Sequence, residues 1–281
     1  MDYKGLDKYY TKQDVAEYCY NKLIDLIKPI DALFVEPSAG SGSFLKVIQG
    51  RKIGFDIEPE AEGIIKADFL NDKLELKDVI IIGNPPFGIK SKLAIKFLNK
   101  ALEYSNVVGF ILPIQFRKWN TQSKVNKEAK LIMDLDLRED AFEINGKDYK
   151  VRCCFQVWTF TSVTPPLYNL LGITKDLKIK TKPITKHPDF EMYQYNRTEE
   201  TKKYFDFDWD FAMPRQGYNN YKLRLFHKKE LNFKQQWIFF KAKDKNILNK
   251  LLKLDFVKLS RKNISTPGFG KADVIQEYIS L

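Results

Sequence analysis

The sequence predicts an α/β fold built on a largely parallel sheet, and three observations carry that reading. Short apolar runs alternate with stretches at helical spacing from Val15 to Pro113. Distinctive polar residues stand directly after the apolar runs, at Glu36, Asp56, Asp68 and Asn84. A glycine-rich turn, Gly40-Ser41-Gly42, joins one run to the next helical stretch. Ligands of such sheets bind beyond the carboxyl ends of the strands, so these residues should converge on one rim.

Apolar side chains at Val15, Ala16, Tyr18, Cys19, Leu23, Ile24 and Ile27 predict a helix over 12–28, stopped by Pro29. Leu33-Phe34-Val35 is a short strand. Glu36 to Phe44 is a loop, and a helix follows to about Gln49. Lys52 to Phe55 is a strand ending in Asp56, and Gly63 to Lys66 is another, ending near Asp68-Phe69. Val79 to Ile82 is a fourth, closed by Asn84-Pro85-Pro86-Phe87. Leu93, Ala94, Phe97, Leu98 and Leu102 predict a helix over 91–104, and Val107 to Leu112 a fifth strand ended by Pro113.

The pattern then changes. Ile132 to Leu137 reads as a strand, and Ala141–Ile144 and Val151–Phe160 flank Asn145-Gly146, a hairpin signal. Thr164-Pro165-Pro166 breaks regular structure and sets the expected boundary between a first domain, 1–163, and a second, 164–281. Beyond it aromatics and lysines interleave without the α/β rhythm.

Composition excludes several classes. A hydrophobic content of 44% with 14% aromatics argues against disorder. No apolar run approaches the roughly 20 residues of a membrane span, and Met1 to Gly5 lack the apolar core of a leader peptide. The expected compartment is the cytoplasm. No metal-ligand spacing occurs, and the two histidines, His187 and His227, stand in no catalytic setting. Cys19, Cys153 and Cys154 read as structural thiols. Adjacent cysteines in a strand point to opposite faces, which does not suit a disulfide between them.

Charge is unevenly placed. Residues 1–160 hold 24 Lys and Arg against 23 Asp and Glu, whereas residues 161–281 hold 23 against 13. One part is suited to a polyanion and the other to a different task.

The turn Asn84-Pro85-Pro86-Phe87 carries the chemistry. Two prolines fix the backbone and remove two donors, so nearby carbonyls are left to accept from something else. An asparagine amide beside a free carbonyl, with an aromatic ring two residues on, suits a planar amine-bearing substrate. Upstream, Gly40 and Gly42 permit close backbone approach to a ligand. The loop has neither the Gly-Lys-Ser/Thr of nucleotide hydrolases nor the three spaced glycines of dinucleotide folds. Glu36 can hold an amino group, Asp56 ribose hydroxyls and Asp68 an adenine amine, with Phe69 packed on the ring.

Glu36-Pro37-Ser38-Ala39-Gly40-Ser41-Gly42 followed by Asn84-Pro85-Pro86-Phe87 resembles the class I S-adenosylmethionine-dependent amino-methyltransferases. Within them it looks like the N6-adenine DNA methyltransferases in which the cofactor motif precedes the catalytic one, the gamma-type order. Tyr9-Tyr10-Thr11 is similar to that group's aromatic-Tyr-Thr-Pro motif, although Lys12 stands where proline is common. The resemblance covers about Tyr9 to Phe160. It implies a Rossmann-like methyltransferase sheet with a C-terminal hairpin, S-adenosylmethionine as cofactor, and a small basic α+β target-recognition domain. By the same resemblance the cofactor lies near Tyr10, Thr11, Glu36, Pro37, Ala39, Gly40, Gly42, Asp56, Ile57, Asp68, Phe69 and Asn84. Catalysis falls to Asn84, Pro85, Pro86 and Phe87, without a metal.

DNA is the expected partner, read by Arg215 and Gln216 at base edges and held by Lys222, Arg224, Lys228 and Lys229 at phosphates. A cognate restriction endonuclease is the further partner if the enzyme is half of a restriction-modification pair. The alternatives left open are an RNA adenine methyltransferase, a protein glutamine methyltransferase using the related Asn-Pro-Pro-Tyr turn, and a nucleic-acid-binding protein that has lost catalysis.

Overall fold

The computed structural model describes residues 9–144, 146–160, 175–261 and 266–281. The chain divides into two compact units, Met1–Thr181 and Lys182–Leu281. The expected boundary at Thr164-Pro165-Pro166 lies outside the described residues.

The first unit opens with β1 (Tyr10–Thr11) and α1 (Gln13–Ile27), followed by β2 (Leu33–Glu36), α2 (Ser43–Val47), β3 (Lys52–Asp56), β4 (Ile64–Lys66) and β5 (Val79–Gly83). Next come α3 (Lys92–Tyr104), β6 (Val107–Pro113), α4 (Trp119–Gln122), β7 (Lys130–Asp136), β8 (Phe142–Ile144), β9 (Lys147–Tyr149) and β10 (Cys153–Thr159). Seven strands form one sheet in the order β4-β3-β2-β5-β6-β10-β7. The five from β4 to β6 are mutually parallel, and β10 runs antiparallel to both its neighbours. This is the largely parallel sheet that the alternation of elements predicts, in the Rossmann-like form that the resemblance implies.

β5 and β6 are buried at every position, as strands with both faces covered require. On one side α1 lays Val15, Ala16, Cys19, Tyr20, Leu23 and Ile27 against the sheet. Its end is set by Lys28, whose left-handed backbone (φ 43°) returns an N–H to the Ile24 carbonyl just before Pro29. The helix expected to reach Gln49 stops at Val47, because Ile48 is already extended.

The chain builds outward from β2 through β3 to β4 and then reverses through β5 to β6. The crevice between the carboxyl ends of β2 and β5 is therefore the topological switch point, where open α/β sheets hold ligands.

The hairpin differs from expectation. Phe142–Ile144 turns back not onto Val151–Phe160 but onto the three-residue β9. The longer segment becomes β10, inserted into the main sheet and buried at every position. Its side chains are covered on both faces, which an exposed hairpin cannot supply. Gly146 takes a left-handed φ of 71° in the connection, and its neighbour Asn145 lies outside the described residues. The β8–β9 hairpin joins a separate small sheet with β1, pairing Tyr10 with Glu143 and Thr11 with Phe142. Cys19, Cys153 and Cys154 are buried free thiols.

The second unit is α+β. Its strands β11 (Phe190–Tyr195), β12 (Phe211–Gln216) and β13 (Gln236–Ala242) form an antiparallel sheet in the order β11-β13-β12. Helices α5 (Glu199–Lys202), α6 (Lys245–Leu252), α7 (Phe256–Ser260) and α8 (Lys271–Ser280) complete it. Both sheet faces are covered. Phe190, Phe211 and Phe240 meet Leu251, Phe256 and Val274 on one side, while Tyr195, Trp237 and Phe239 enclose Phe205 on the other. Among the described residues of the chain, no helix is long and apolar enough to cross a membrane.

Candidate active site

The switch point opens into a cavity of about 570 Å3, within the range of small-ligand sites. Its walls include Tyr10, Thr11, Glu36, Pro37, Ala39, Gly40, Asp56, Ile57, Asp68, Phe69 and the whole turn Asn84-Pro85-Pro86-Phe87. The sequence placed these residues, Tyr10 and Thr11 apart, after four different strands, and the sheet brings them to one rim.

Gly42 is the exception. It is not on the wall but in the turn beneath it, with φ 78°, donating its N–H to the Ala39 carbonyl and preceding α2. It shapes the loop and leaves the approach to a ligand to Gly40.

Asp56 organises that loop. One carboxylate oxygen accepts from the Gly40 N–H at 2.8 Å and the other from the Glu58 N–H at 2.8 Å. Tyr10 covers Gly40 from β1, and its hydroxyl donates to Glu60 at 2.6 Å. Asp68 accepts from the Leu70 and Asn71 main chain and from the Asn71 amide at 2.6 Å, so local bonds fix its orientation. Phe69 is buried and stacked on Phe97 with centroids 5.6 Å apart, which makes it a rigid wall.

Glu36 is only 2% exposed. Burial pushes its carboxyl well above the ordinary carboxylate value, against the lowering effect of N–H donors from Leu45 and Phe44 in the first turn of α2.

The Asn84 side chain is the most telling group. Its Nδ2 lies 3.5 Å from the Tyr9 carbonyl, while its Oδ1 is buried with no hydrogen-bond partner among the described residues. A buried amide oxygen left unpaired costs about 1–3 kcal/mol, so such an atom is commonly kept for a partner that arrives later. The main-chain carbonyl of Asn84 accepts from the Ser38 hydroxyl at 3.2 Å, tying the turn to the glycine loop. Phe87 is anchored from behind, its carbonyl accepting from Leu93 and Ala94 of α3. Its half-buried ring borders Tyr9 and Phe142, and Tyr9 stacks on Tyr149 at 4.4 Å.

Eight wall residues were not among the expected site residues, Ser38, Tyr9 and Glu60 among them. Ser38 and Tyr9 lay inside quoted motifs without an assigned task. Glu60 had no signal, because it reaches the cavity only through the turn after β3. Among the described residues no group of three or more His, Cys, Asp or Glu is placed to hold a metal.

The expected nucleic-acid residues are in the second unit. Gln216, Lys222, Lys228 and Lys229 are exposed, and Lys228 pairs with Asp206. Arg224 is half-buried. It donates to the carbonyls of Tyr221, Leu223 and Leu254 and lies 4.5 Å over the Phe256 ring. Arg215 donates to the Asn196 and Gln236 side chains.

No protein-family model and no curated protein matches the chain. Solved structures do. A chain described as an RNA methyltransferase from Pyrococcus horikoshii is 18% identical over 55% of this chain and 87% of its own, with a TM-score of 0.41. A modification subunit of a type I restriction enzyme from Vibrio vulnificus is 13% identical over 56% of this chain, with a TM-score of 0.42, and only 46% of that longer chain is spanned. The plantazolicin methyltransferase, solved with S-adenosylhomocysteine, is 12% identical over 52% of this chain and 83% of its own, with a TM-score of 0.36.

Proposed function

We propose that the protein is an S-adenosylmethionine-dependent methyltransferase acting on the N6 amine of adenine in DNA. The observation that carries the reading is the buried Asn84 Oδ1, unpaired among the described residues, on the wall of the switch-point cavity. An exocyclic amine offers the N–H that this oxygen lacks.

The residues fit the cofactor. The Gly40 backbone allows close approach, Glu36 suits the methionine ammonium, Asp56 suits the ribose hydroxyls, and Ile57, Asp68 and Phe69 suit the adenine. When bound, S-adenosylmethionine supplies an electrophilic methyl group. The chain's own part is to prepare the amine. Adenine N6 is a poor nucleophile because its lone pair is delocalised into the ring. Acceptance of its two hydrogens by Asn84 Oδ1 and the Pro85 carbonyl lets the nitrogen pyramidalise and directs the lone pair outward. Alignment then supplies much of the rate. Phe87 suits the face of the target base, which must leave a duplex at a cost of roughly a few kcal/mol.

The second unit supports a polyanionic substrate through its basic excess, with Gln216 for base contact and Lys222, Lys228 and Lys229 for phosphates. The restriction-modification role belongs to the same proposal.

Incubation with tritiated S-adenosylmethionine and separated DNA, RNA and protein acceptors tests the reading. Label recovered as N6-methyl-2′-deoxyadenosine from the DNA acceptor is expected. Label in ribonucleosides would move the substrate to RNA, and label in protein alone would overturn the nucleic-acid reading. Asn84→Ala should abolish transfer while cofactor affinity stays within a few-fold, and retained transfer would remove the acceptor mechanism.

A further inference from the structure

Tyr9 and Tyr10 stand between the two halves of the cavity, and each holds one of them. On the acceptor side, the Tyr9 carbonyl receives the Asn84 Nδ2 at 3.5 Å. On the cofactor side, the Tyr10 hydroxyl donates to Glu60 at 2.6 Å, and the Glu60 N–H donates to the Gly40 carbonyl at 3.1 Å. The Tyr10 ring lies over the same glycine, where a Cβ would stand 3.7 Å from it. Tyr9, Tyr10, Glu60 and Asn84 all line the cavity.

The rest of this segment is tied to the β8–β9 hairpin. Tyr10 pairs with Glu143 and Thr11 with Phe142, the Lys12 N–H donates to the Ala141 carbonyl at 3.0 Å, and the Lys12 ammonium lies 2.7 Å from Asp148. The segment is a strap between the hairpin and the turn after β3, with Asn84 bonded to it.

The bond to Tyr9 decides which way the Asn84 amide faces. An asparagine side chain carries a donor and an acceptor on the same carbon. With Nδ2 given to the Tyr9 carbonyl, Oδ1 is left for an incoming amine. A half-turn of the amide would set Oδ1 against that carbonyl, two acceptors facing each other, and would offer the amine a donor it cannot use. Whatever holds the Tyr9 carbonyl therefore holds the productive amide. That carbonyl lies in the planar peptide joining Tyr9 to Tyr10, so its direction follows the Tyr10 backbone.

We propose that Glu60 is a positioning residue for catalysis. By anchoring the Tyr10 hydroxyl it fixes the Tyr9–Tyr10 peptide, and through it the orientation of Asn84. The proposal rests on Asn84 Oδ1 accepting from the substrate amine, as in the reading above. Glu60 then acts on the acceptor half of the cavity from the cofactor half.

Two arms test it on the full chain. Tyr10→Phe and Glu60→Leu break the bond, and Glu60→Gln keeps an acceptor for the hydroxyl. The first arm needs no substrate. The Asn84 side-chain amide resonance, identified by its loss in Asn84→Ala, is followed for hydrogen exchange with water. Exchange should quicken about fivefold in the two broken variants, the equivalent of one modest hydrogen bond, and stay near wild type in Glu60→Gln. The second arm measures kcat and the cofactor KM with the acceptor that wild type methylates. A similar fivefold loss of kcat is expected in the broken variants, larger than any change in KM, with most of the rate recovered in Glu60→Gln. If wild type methylates no acceptor but exchange quickens as expected, the strap stands and the substrate reading falls. Unchanged exchange, or a loss confined to the cofactor KM, would overturn the positioning role.

Discussion

The Ser38 hydroxyl donates to the main-chain carbonyl of Asn84 at 3.2 Å, joining the loop after β2 to the turn after β5. Two motifs 46 residues apart in sequence thus share one bond across the switch point. Ser38→Ala removes it and frees the turn from the loop. A partly buried bond of this kind contributes about 1 kcal/mol, so transfer should slow several-fold. Rates at saturating cofactor measure this, and an unchanged rate would deny the bond any positioning role.

Glu36 gives the site a pH dependence whose sign is fixed by burial. Its folded carboxyl is raised, so the fold prefers the protonated form. The associated stability is full below the unfolded value of about 4.3 and is lost as pH rises through the raised folded value. Glu36→Gln imitates the protonated form and should flatten that loss. Melting of ligand-free wild type and variant from about pH 4 to 8 tests it. The curves should diverge as pH rises, with wild type falling faster, while the variant binds S-adenosylmethionine more weakly for want of a carboxylate. Parallel curves would mean that Glu36 does not titrate in that window.

Gly88 holds the exit of the Asn84-Pro85-Pro86-Phe87 turn. Its φ is +66°, and a Cβ there would stand 2.8 Å from Leu93 Cβ and 3.2 Å from the Leu93 main-chain nitrogen. That nitrogen donates to Phe87 at 3.2 Å, so it cannot retreat without releasing the aromatic residue. Gly88→Ala combines backbone strain with a clash and should cost about 2–4 kcal/mol. Chemical denaturation gives the stability, and transfer per folded molecule should fall as well. A stable, fully active variant would show that the turn tolerates movement at Phe87.

The rim of the site was legible because each of its residues follows a strand, and strands announce themselves by short apolar runs. Glu36, Asp56, Asp68 and Asn84 needed only the rule that parallel strands deliver their ends together. Gly42 was misplaced because a motif does not distinguish a glycine that faces the ligand from one that bends the loop. The partner of β8 was missed for a different reason. Val151–Phe160 alternates like a hairpin strand, and only its burial on both faces reveals a place in the main sheet. Glu60 and the Tyr9 carbonyl were invisible because their roles exist only once β1 pairs with β8 and the turn after β3 folds over Gly40.

Arg224 and Lys229 stand five residues apart and look alike in the sequence, yet the structure gives them opposite surroundings. The Arg224 donors reach three main-chain carbonyls, and its plane rests 4.5 Å over Phe256. Lys229 is exposed at the surface. Lysine cannot reproduce a planar fork, so Arg224→Lys should destabilise the protein by about 1–3 kcal/mol. Its salt slope for duplex binding should stay at the wild-type value, because the guanidinium has little left to offer a phosphate. Lys229→Ala should do the reverse, leaving Tm unchanged and lowering the slope by about 0.9. Denaturation and salt titrations on the same two variants separate the roles. A lowered slope in Arg224→Lys with intact stability would return that arginine to the nucleic-acid surface.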